Sequence, residues 1–109
     1  MDWFYKFVVT RAVNVRVEWD PVKADQNLRK HRVSFALAMR VFFDPLALVE
    51  QDRVEGGEER WQTLGMVDGV TLLLVAHTML DGGAIEVIRI ISARRAEPKE
   101  RRNYEQAQR

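Results

Sequence analysis

Strand-like segments joined by tight turns fill the second half of the chain, and this pattern restricts the possible folds more than any other feature. Residues 70–78 are nearly all apolar, and residues 84–91 are rich in Ile and Val, which fit a pleated, half-buried surface. Asp68-Gly69, between 60–66 and 70–78, is a strong hairpin signal. Because strands joined by short loops pair with their neighbours, these segments predict an antiparallel meander.

Sequence signals for helices occur both before and after this meander in the chain. Each predicted helix begins where a capping residue or a proline suits a helix N-terminus: Asp20-Pro21, Ser34 and Pro98. Alternation at 14–19 and a short apolar segment at 46–50 add two strands, so the predicted order is β-α-α-β-β-β-β-α. Since helices bury an apolar stripe against a sheet, we expect an α+β fold in which helices cover an antiparallel sheet.

The length of 109 residues is typical of one domain. We predict that residues 14–109 form this single domain and that residues 1–13 are an N-terminal extension. The sequence contains no cysteine and therefore predicts no disulfide and no CxxC metal site. It also contains no apolar run long enough to predict a membrane span. We expect a cytoplasmic location.

Charge is unevenly distributed although the net charge is only +1. Residues 21–40 and 86–109 are rich in Lys and Arg, whereas residues 43–60 are rich in Asp and Glu. Basic segments in a nearly neutral chain indicate local binding of an anion rather than general attraction to nucleic acid. The alternative for any one of these charges is a solvated surface position.

Familiar catalytic motifs are missing. The two histidines, His31 and His77, lack metal-ligand spacing, and no glycine-rich phosphate loop or activated serine is visible. We therefore predict no metal and no cofactor. Arg, Lys, His and Glu remain, and this set suits cleavage of an RNA phosphodiester. Such cleavage needs a base for the 2′-hydroxyl, cations for the phosphorane and an acid for the 5′-oxygen.

Two candidate residues lie on mostly apolar strand faces. His77 is either an acid or base of the reaction or a core histidine hydrogen-bonded to backbone. Arg89 either binds phosphate or forms a buried ion pair with Glu59 or Glu86, because an unpaired charge is costly to bury. The sequence pattern alone leaves these alternatives open.

Three further candidates depend on geometry. Arg94 is out of alternation with Arg89, so the two face one site only if the chain bends near Ser92-Ala93. Tyr104 on the last helix either packs against the sheet or reaches the site with its hydroxyl. Lys23 is either a solvated residue or a phosphate ligand.

Segments spread over residues 17–106 resemble the BrnT family of bacterial toxins in order and spacing. They are Val17-Glu18-Trp19-Asp20, Lys23, Asn27, Lys30-His31, Val33-Ser34-Phe35, Phe42-Phe43-Asp44-Pro45, Gly57-Glu58-Glu59-Arg60, Gly65, Val75-Ala76-His77-Thr78, Ile88-Arg89-Ile90-Ile91-Ser92-Ala93-Arg94, Arg95-Ala96, Glu100-Arg101 and Tyr104-Glu105. The resemblance implies a RelE-like, metal-independent endoribonuclease that stops translation by cutting RNA. Residues 1–13 depart from the pattern of the family.

The resemblance also implies partners and site residues. A BrnA-type antitoxin with a ribbon-helix-helix DNA-binding part is expected to neutralise the toxin in a heterotetramer, and DNA is contacted only through the antitoxin. The catalytic residues implied are Glu59, His77, Arg89 and Arg94, followed by Lys23, Arg60 and Tyr104 in substrate binding. We assign Glu59 or His77 as base or acid, and Arg89 and Arg94 to the phosphate.

A different function class stays open at this point. In it the chain is a non-catalytic binding module, or an inactivated toxin, whose Arg89, Arg94 and Lys23 only dock an acidic partner. Replacing Arg89 by alanine would then weaken the complex without removing any RNA cleavage.

Overall fold

The computed structural model describes residues 4–10, 13–81 and 85–108, and these ranges form one mixed sheet and three α-helices. The strands are β1 (Phe4–Thr10), β2 (Val13–Trp19), β3 (Leu48–Glu55), β4 (Glu58–Val67), β5 (Thr71–Asp81) and β6 (Ile85–Arg95). The α-helices are α1 (Pro21–His31), α2 (Phe35–Ala38) and α3 (Pro98–Gln106), and a 3-10 helix at Met39–Phe43 follows α2 directly. The predicted α+β class is confirmed.

The strands lie in the order β1-β2-β6-β5-β4-β3. The run from β3 to β6 is antiparallel, and Asp68 and Gly69 join β4 to β5 with positive φ values of 55° and 71°, as predicted for this hairpin. The prediction of a purely antiparallel sheet is wrong, because β2 pairs with β6 in parallel. Alternation identifies a strand but not its neighbour, and here the helices and the strands β3, β4 and β5 all separate β2 from β6 in the sequence.

The described part of residues 1–13 is a strand. The backbone of β1 pairs antiparallel with β2, from Phe4 opposite Trp19 to Thr10 opposite Val13. This pairing extends the sheet by one strand beyond the predicted order. The division of the chain into an extension and a domain remains a prediction.

The main core lies between the sheet and the first helices. Side chains from the central strands pack there against α2 and the 3-10 helix. Among the most deeply buried are Val17, Phe35, Ala38, Val41, Leu73, Val75 and Ile90. Gly65 on β4 permits this close packing, because a Cβ at that position would lie 2.8 Å from the Val41 Cβ. We call this side of the sheet the inner face, represented by Val75, His77 and Ile90.

Polar side chains hold the helices in place. The Asp20 carboxylate accepts a hydrogen bond from the Val22 N–H, and the Ser34 hydroxyl accepts one from the Leu37 N–H, so both predicted caps are confirmed. Asn27 then ties α1 to β6. Its amide donates to the Ala93 carbonyl and its oxygen accepts from the Ala93 N–H. Asn27 thus satisfies the backbone of β6 beyond the end of β2.

Helix α3 packs on the opposite side of the sheet, which we call the outer face and define by Arg60, Gln62, Ala76, Ser92 and Arg94. Buried Tyr104 contacts a second apolar cluster there, together with Leu64 and Leu72. None of the helices in the described ranges is long and apolar enough to cross a membrane.

Candidate active site

A β-bulge in β6 determines which arginines face the same way. Ala76 is opposite Ser92 and His77 is opposite Ile90, so Ile91 is an extra residue in β6. The extra residue shifts the alternation by one and places Arg89 and Arg94 on the same face of the sheet. The condition that the sequence set for these two arginines, a bend near Ser92-Ala93, is thus met by a bulge at the adjacent residue.

A groove of about 270 Å³ lies on the outer face where α3 does not cover it. Its floor comes from the central strands and includes Gln62, Leu74, Ala76 and Ser92. Its walls are mostly basic: Arg53 and Arg60 lie on one side together with the acidic Asp52, and His31 and Arg94 lie on the other. Because guanidinium groups match phosphate oxygens in shape and charge, this groove is suited to an anionic ligand.

Carboxylates orient the arginines of the walls. Arg94 donates to both carboxylate oxygens of Glu100, each at 2.9 Å, and this paired contact raises the pKa of Arg94 above its ordinary value. The same contact is the main cause that lowers the pKa of Glu100. Across the groove, Arg53 lies 2.8 Å from Asp52 and 3.2 Å from Glu55.

Arg89 is connected to the groove through a carboxylate. Its Nη1 lies 3.3 Å from Oε2 of Glu58, and the other oxygen of Glu58 lies 3.5 Å from Nη2 of Arg60. Glu18 on β2 lies 4.0 Å from the Arg89 Nε. The carboxylate beside Arg60 and Arg89 is therefore Glu58, not the predicted Glu59.

His31 reaches the groove because α1 ends there. Arg32 adopts a left-handed conformation with φ 61°, and its N–H donates to the Leu28 carbonyl, which closes the last turn. His31 is partly exposed and lines the wall beside Ile91 and Ser92. Of the two histidines, this one lies in contact with the candidate site.

His77 lies in the core on the inner face and has no exposed surface. Its Nδ1 donates to the Thr78 carbonyl at 3.1 Å, so its Nε2 accepts from the Thr63 hydroxyl at 2.7 Å. The ring also contacts Phe42 edge-on, with centroids 5.0 Å apart. Burial lowers the pKa of His77 to about 4, so the ring is neutral at pH 7. This geometry matches the core histidine that the sequence left open as an alternative.

The remaining predicted residues lie outside the groove. Glu59 is exposed, and strand alternation directs it away from the face that Glu58 and Arg60 share. Lys23 is exposed on α1, more than two turns before His31. The structure thus brings Arg60 and Arg94 into the groove and Arg89 beside it. The predicted catalytic and binding roles of all these residues remain predictions.

Tyr104 packs and makes a structural hydrogen bond. Its hydroxyl donates to the Asp44 carboxylate at 2.6 Å, and burial together with this bond raises the pKa of Tyr104 to about 12. Burial also acts to raise the pKa of Asp44, but hydrogen bonds from the Met66 N–H, Tyr104 and the Leu46 N–H outweigh it and hold that pKa below its ordinary value. Asp44 thereby joins the 3-10 helix, β4 and α3.

Sequence reasoning missed several residues around the site. They are His31, Asp52, Arg53, Glu58, Gln62 and Ser92. A usable signal existed for Glu58, because residues two apart on a strand share a face and Arg60 was already a candidate. For His31 the signal was the family resemblance at Lys30-His31, whereas strand alternation gave none, because His31 reaches the groove through the docking of α1. In the described ranges, no three His, Cys, Asp or Glu side chains are grouped to hold a metal ion.

The fold and groove define a small α+β protein with an arginine-lined groove on one face of a mixed sheet. The chain belongs to the BrnT family: the family model described as "Ribonuclease toxin, BrnT, of type II toxin-antitoxin system" matches residues 19–100. The predicted family is confirmed.

A solved structure agrees with this membership. The protein is similar to the ribonuclease toxin BrnT of Brucella abortus, with 26% sequence identity and a TM-score of 0.57. The match covers 72% of this chain and 92% of that chain. A search of the curated proteins found no match.

Proposed function

We propose that this chain is a metal-independent endoribonuclease that binds the scissile RNA phosphate in the outer-face groove. The observation that carries the proposal is the convergence of His31, Arg60 and Arg94 on one groove in a member of a ribonuclease toxin family. Arginine supplies charge for the phosphorane, and histidine is the side chain best suited to move protons near neutral pH.

The reaction that suits these groups is an internal transesterification. The 2′-oxygen forms a bond to phosphorus and the bond from phosphorus to the 5′-oxygen breaks, which leaves a 2′,3′-cyclic phosphate and a 5′-hydroxyl. The 2′-hydroxyl loses a proton and the departing 5′-oxygen gains one. We assign His31 to proton transfer, and Arg60 and Arg94 to the charge that develops on the phosphorane.

This assignment differs from the one that the sequence favoured. His31 replaces His77 and Glu59 as the acid–base residue, because His77 is buried in the core and Glu59 is directed away from the groove. Arg89 keeps a role in phosphate binding. Lys23 and Tyr104 lie outside the groove, so we give them no contact with the scissile phosphate.

The test is cleavage of RNA by the purified chain in the presence of EDTA. We expect fragments that end in 2′,3′-cyclic phosphate. Loss of one proton-transfer group costs about 10²-fold or more, and we expect a loss of this size for His31→Gln. Asp25→Asn is the matched control, since Asp25 is an exposed residue of the same helix. Loss of cleavage in EDTA, or full activity of His31→Gln, would contradict the proposal.

The proposal extends to partners and cellular role. We infer a BrnA-type antitoxin with a ribbon-helix-helix DNA-binding part, a heterotetrameric complex, and DNA contact through the antitoxin alone. A RelE-like mode of action, arrest of translation and a cytoplasmic location belong to the same proposal. Family membership supports an antitoxin partner, since the family is one of type II toxin–antitoxin systems. The finer points follow from the sequence resemblance alone. Co-purification with the product of the neighbouring gene, and rescue of growth by it, tests the partner.

One observation favours the non-catalytic alternative. Each arginine of the groove walls already contacts a carboxylate of its own chain: Arg53 with Asp52, Arg60 with Glu58 and Arg94 with Glu100. A surface of arginine–carboxylate pairs is suited to binding a charged partner protein without catalysing RNA cleavage. A purified chain that binds its antitoxin but cuts no RNA at any concentration would decide for this alternative.

A further inference from the structure

We propose a second phosphate subsite on the outer face, formed by Arg60, Thr78 and Arg89 and occupied in the free protein by the carboxylate of Glu58. The subsite lies beside the groove and takes a neighbouring phosphodiester of the same RNA strand. Glu58 then acts as a built-in competitor that the RNA must displace. The inference rests on the proposed function, since it concerns the same substrate.

The position of Glu58 defines the subsite. Arg60 lies on β4 and Arg89 on β6, so a carboxylate that contacts both must lie across the intervening strand β5. Its two oxygens lie 3.5 Å from Arg60 and 3.3 Å from Arg89. These contacts are longer than the roughly 2.8 Å of a well-formed charge-assisted hydrogen bond. The carboxylate therefore lies between two guanidinium groups, with one long hydrogen bond from Arg89 and a looser contact with Arg60.

Arg94 provides the contrast within the same face. It holds Glu100 through two parallel hydrogen bonds of 2.9 Å, and the Glu100 carboxylate also accepts the Glu97 N–H at 2.8 Å. Glu100 thus has a structural task at the start of α3. Within the described ranges, the contacts of Glu58 are with the side chains of Arg60 and Arg89 and not with a backbone N–H. A carboxylate held by the two arginines alone is the one that an incoming phosphate can replace.

Thr78 supplies an independent observation that points to a ligand. It is opposite Arg89 on β5 and follows His77, so its side chain lies on the outer face between the two arginines. Thr78 is only 1% exposed, and its hydroxyl is buried without a hydrogen-bond partner. Burying a hydroxyl without a partner is unfavourable. Neither oxygen of Glu58 accepts this hydrogen bond, whereas a phosphate in its place is larger and can extend a further oxygen toward the Thr78 hydroxyl.

Arg60 also has a buried polar atom without a hydrogen-bond partner. Its Nε is buried without a hydrogen bond and lies 3.9 Å from the nearest oxygen of Glu55. A tetrahedral phosphate offers more acceptor oxygens than the flat carboxylate of Glu58, so it can serve Arg60, Thr78 and Arg89 together. Arg60 also lines the groove, so one strand of RNA can place adjacent phosphates in the groove and in the subsite.

The test measures binding of a short 2′-O-methyl RNA, which lacks the 2′-hydroxyl needed for cleavage. Glu58→Gln removes the competing charge at nearly constant size. We expect it to tighten binding about tenfold, as for a subsite that is free about a tenth of the time in the wild type. Adding Thr78→Val to Glu58→Gln is expected to reverse part of the gain, because the buried donor is lost at constant volume.

Glu105→Gln is the matched control for net charge. It removes the same charge from an exposed pair with Arg101 on α3, away from the subsite. Equal tightening by Glu58→Gln and Glu105→Gln would overturn the proposal, and so would no tightening by Glu58→Gln. Thermal unfolding of each variant verifies that the compared proteins are folded.

The remaining outcomes separate this inference from the proposed function. A chain that cuts no RNA but binds it more tightly as Glu58→Gln retains the subsite and loses the catalytic proposal. A chain that cuts RNA but shows no tightening retains catalysis and loses the subsite. Slower cleavage at saturating RNA without tighter binding would assign Glu58 to the chemistry instead. If Glu58→Gln tightened binding of the antitoxin but not of RNA, the site would belong to a protein partner. Each of these last two results would overturn the proposal.

Discussion

The two faces of the sheet are built from the same strands but have opposite chemistry. On the inner face, β5 presents His77 to a core that excludes water, and the ring is neutral. The side chain of the next residue, Thr78, lies on the outer face, where arginines contact carboxylates. Because neighbouring residues on a strand point in opposite directions, a shift of one position separates a structural residue from a candidate functional one.

This difference identifies where ionic chemistry is possible. On the outer face, paired groups keep their charges: the contact with Glu100 raises the pKa of Arg94, and the contact with Arg94 lowers the pKa of Glu100. On the inner face, burial removes the charge of the one histidine present in the described core. A phosphodiester can approach the first face and not the second. His31 is therefore a better candidate for proton transfer than His77.

Among the variants that test this contrast between the two faces, we expect His77→Ala to have the largest effect. It leaves a cavity in the inner face and removes the hydrogen-bond partner of the Thr63 hydroxyl. We expect the free energy of unfolding to fall by about 4 kcal/mol, as measured by denaturant unfolding. His77→Gln is the milder companion variant, since it can retain part of the hydrogen bonding. A His77→Ala protein as stable as the wild type and unable to cut RNA would restore the catalytic role predicted from the sequence.

The dependence of stability on pH is the next largest effect. Burial lowers the pKa of His77 from 6.5 to about 4, so between these values the unfolded chain binds a proton that the folded chain excludes. Stability is therefore lost as the pH falls from about 6.5 to about 4, by up to about 3 kcal/mol. Below this window the residue contributes no further change.

Unfolding at several pH values, with the wild type beside His77→Gln, isolates this contribution. The difference in unfolding free energy between the two proteins should depend on pH only within the window, with the wild type losing more on acidification. Parallel curves for the two proteins would show that the ring titrates normally and is not held neutral in the core.

Local sequence patterns predict most of the helices and strands, although not β1, and they do not predict which elements contact each other. Caps at Asp20 and Ser34 and the turn at Asp68-Gly69 depend on residues close in sequence, so local patterns predict them. The parallel pairing of β2 with β6 joins two strands that are far apart in the sequence, which alternation does not encode. The same limit explains why the position of His31 was missed.

The site shows this limit in finer detail. Arg89 and Arg94 share a face only because Ile91 is an extra residue in β6, and no glycine or proline in that stretch marks the bulge. The same holds for Glu58 and Glu59, since a single position decides which of the two carboxylates shares the face of Arg60. Residue types suited to phosphate chemistry could be recognised from sequence, whereas their directions required the register of the strands.

Tyr104→Phe tests whether α3 is attached to the outer face by packing and one hydrogen bond. The variant keeps the ring against Leu64 and Leu72 but removes the donor to Asp44. We expect a loss of about 1.5 kcal/mol in the free energy of unfolding, typical of a hydrogen bond to a charged group. Asp44→Asn is the reciprocal variant and should also be destabilised. Unchanged stability together with slower RNA cleavage would instead show that the hydroxyl serves the substrate.

Arg94 has two tasks, since it binds Glu100 and lines the groove. Variants that separate these tasks are expected to have the smallest effect on stability. Arg94→Lys and Glu100→Gln both break the paired contact. Because this pair is partly exposed, each should lower the free energy of unfolding by only about 1 kcal/mol. Lysine retains the charge but not the planar fork, so only Arg94→Lys should also slow RNA cleavage, by about tenfold or more.

Glu100→Gln is the informative control for this pair, since Glu100 caps α3 and lies outside the groove. If both variants slowed cleavage equally, the arginine would act only by fixing α3, and the groove would lose one of its phosphate-binding walls. If Arg94→Lys alone slowed cleavage, the carboxylate contact would be a support for a guanidinium that acts on the substrate. On the outer face, one charged side chain would then serve both the structure and the substrate. The inner face has no such side chain among the described residues.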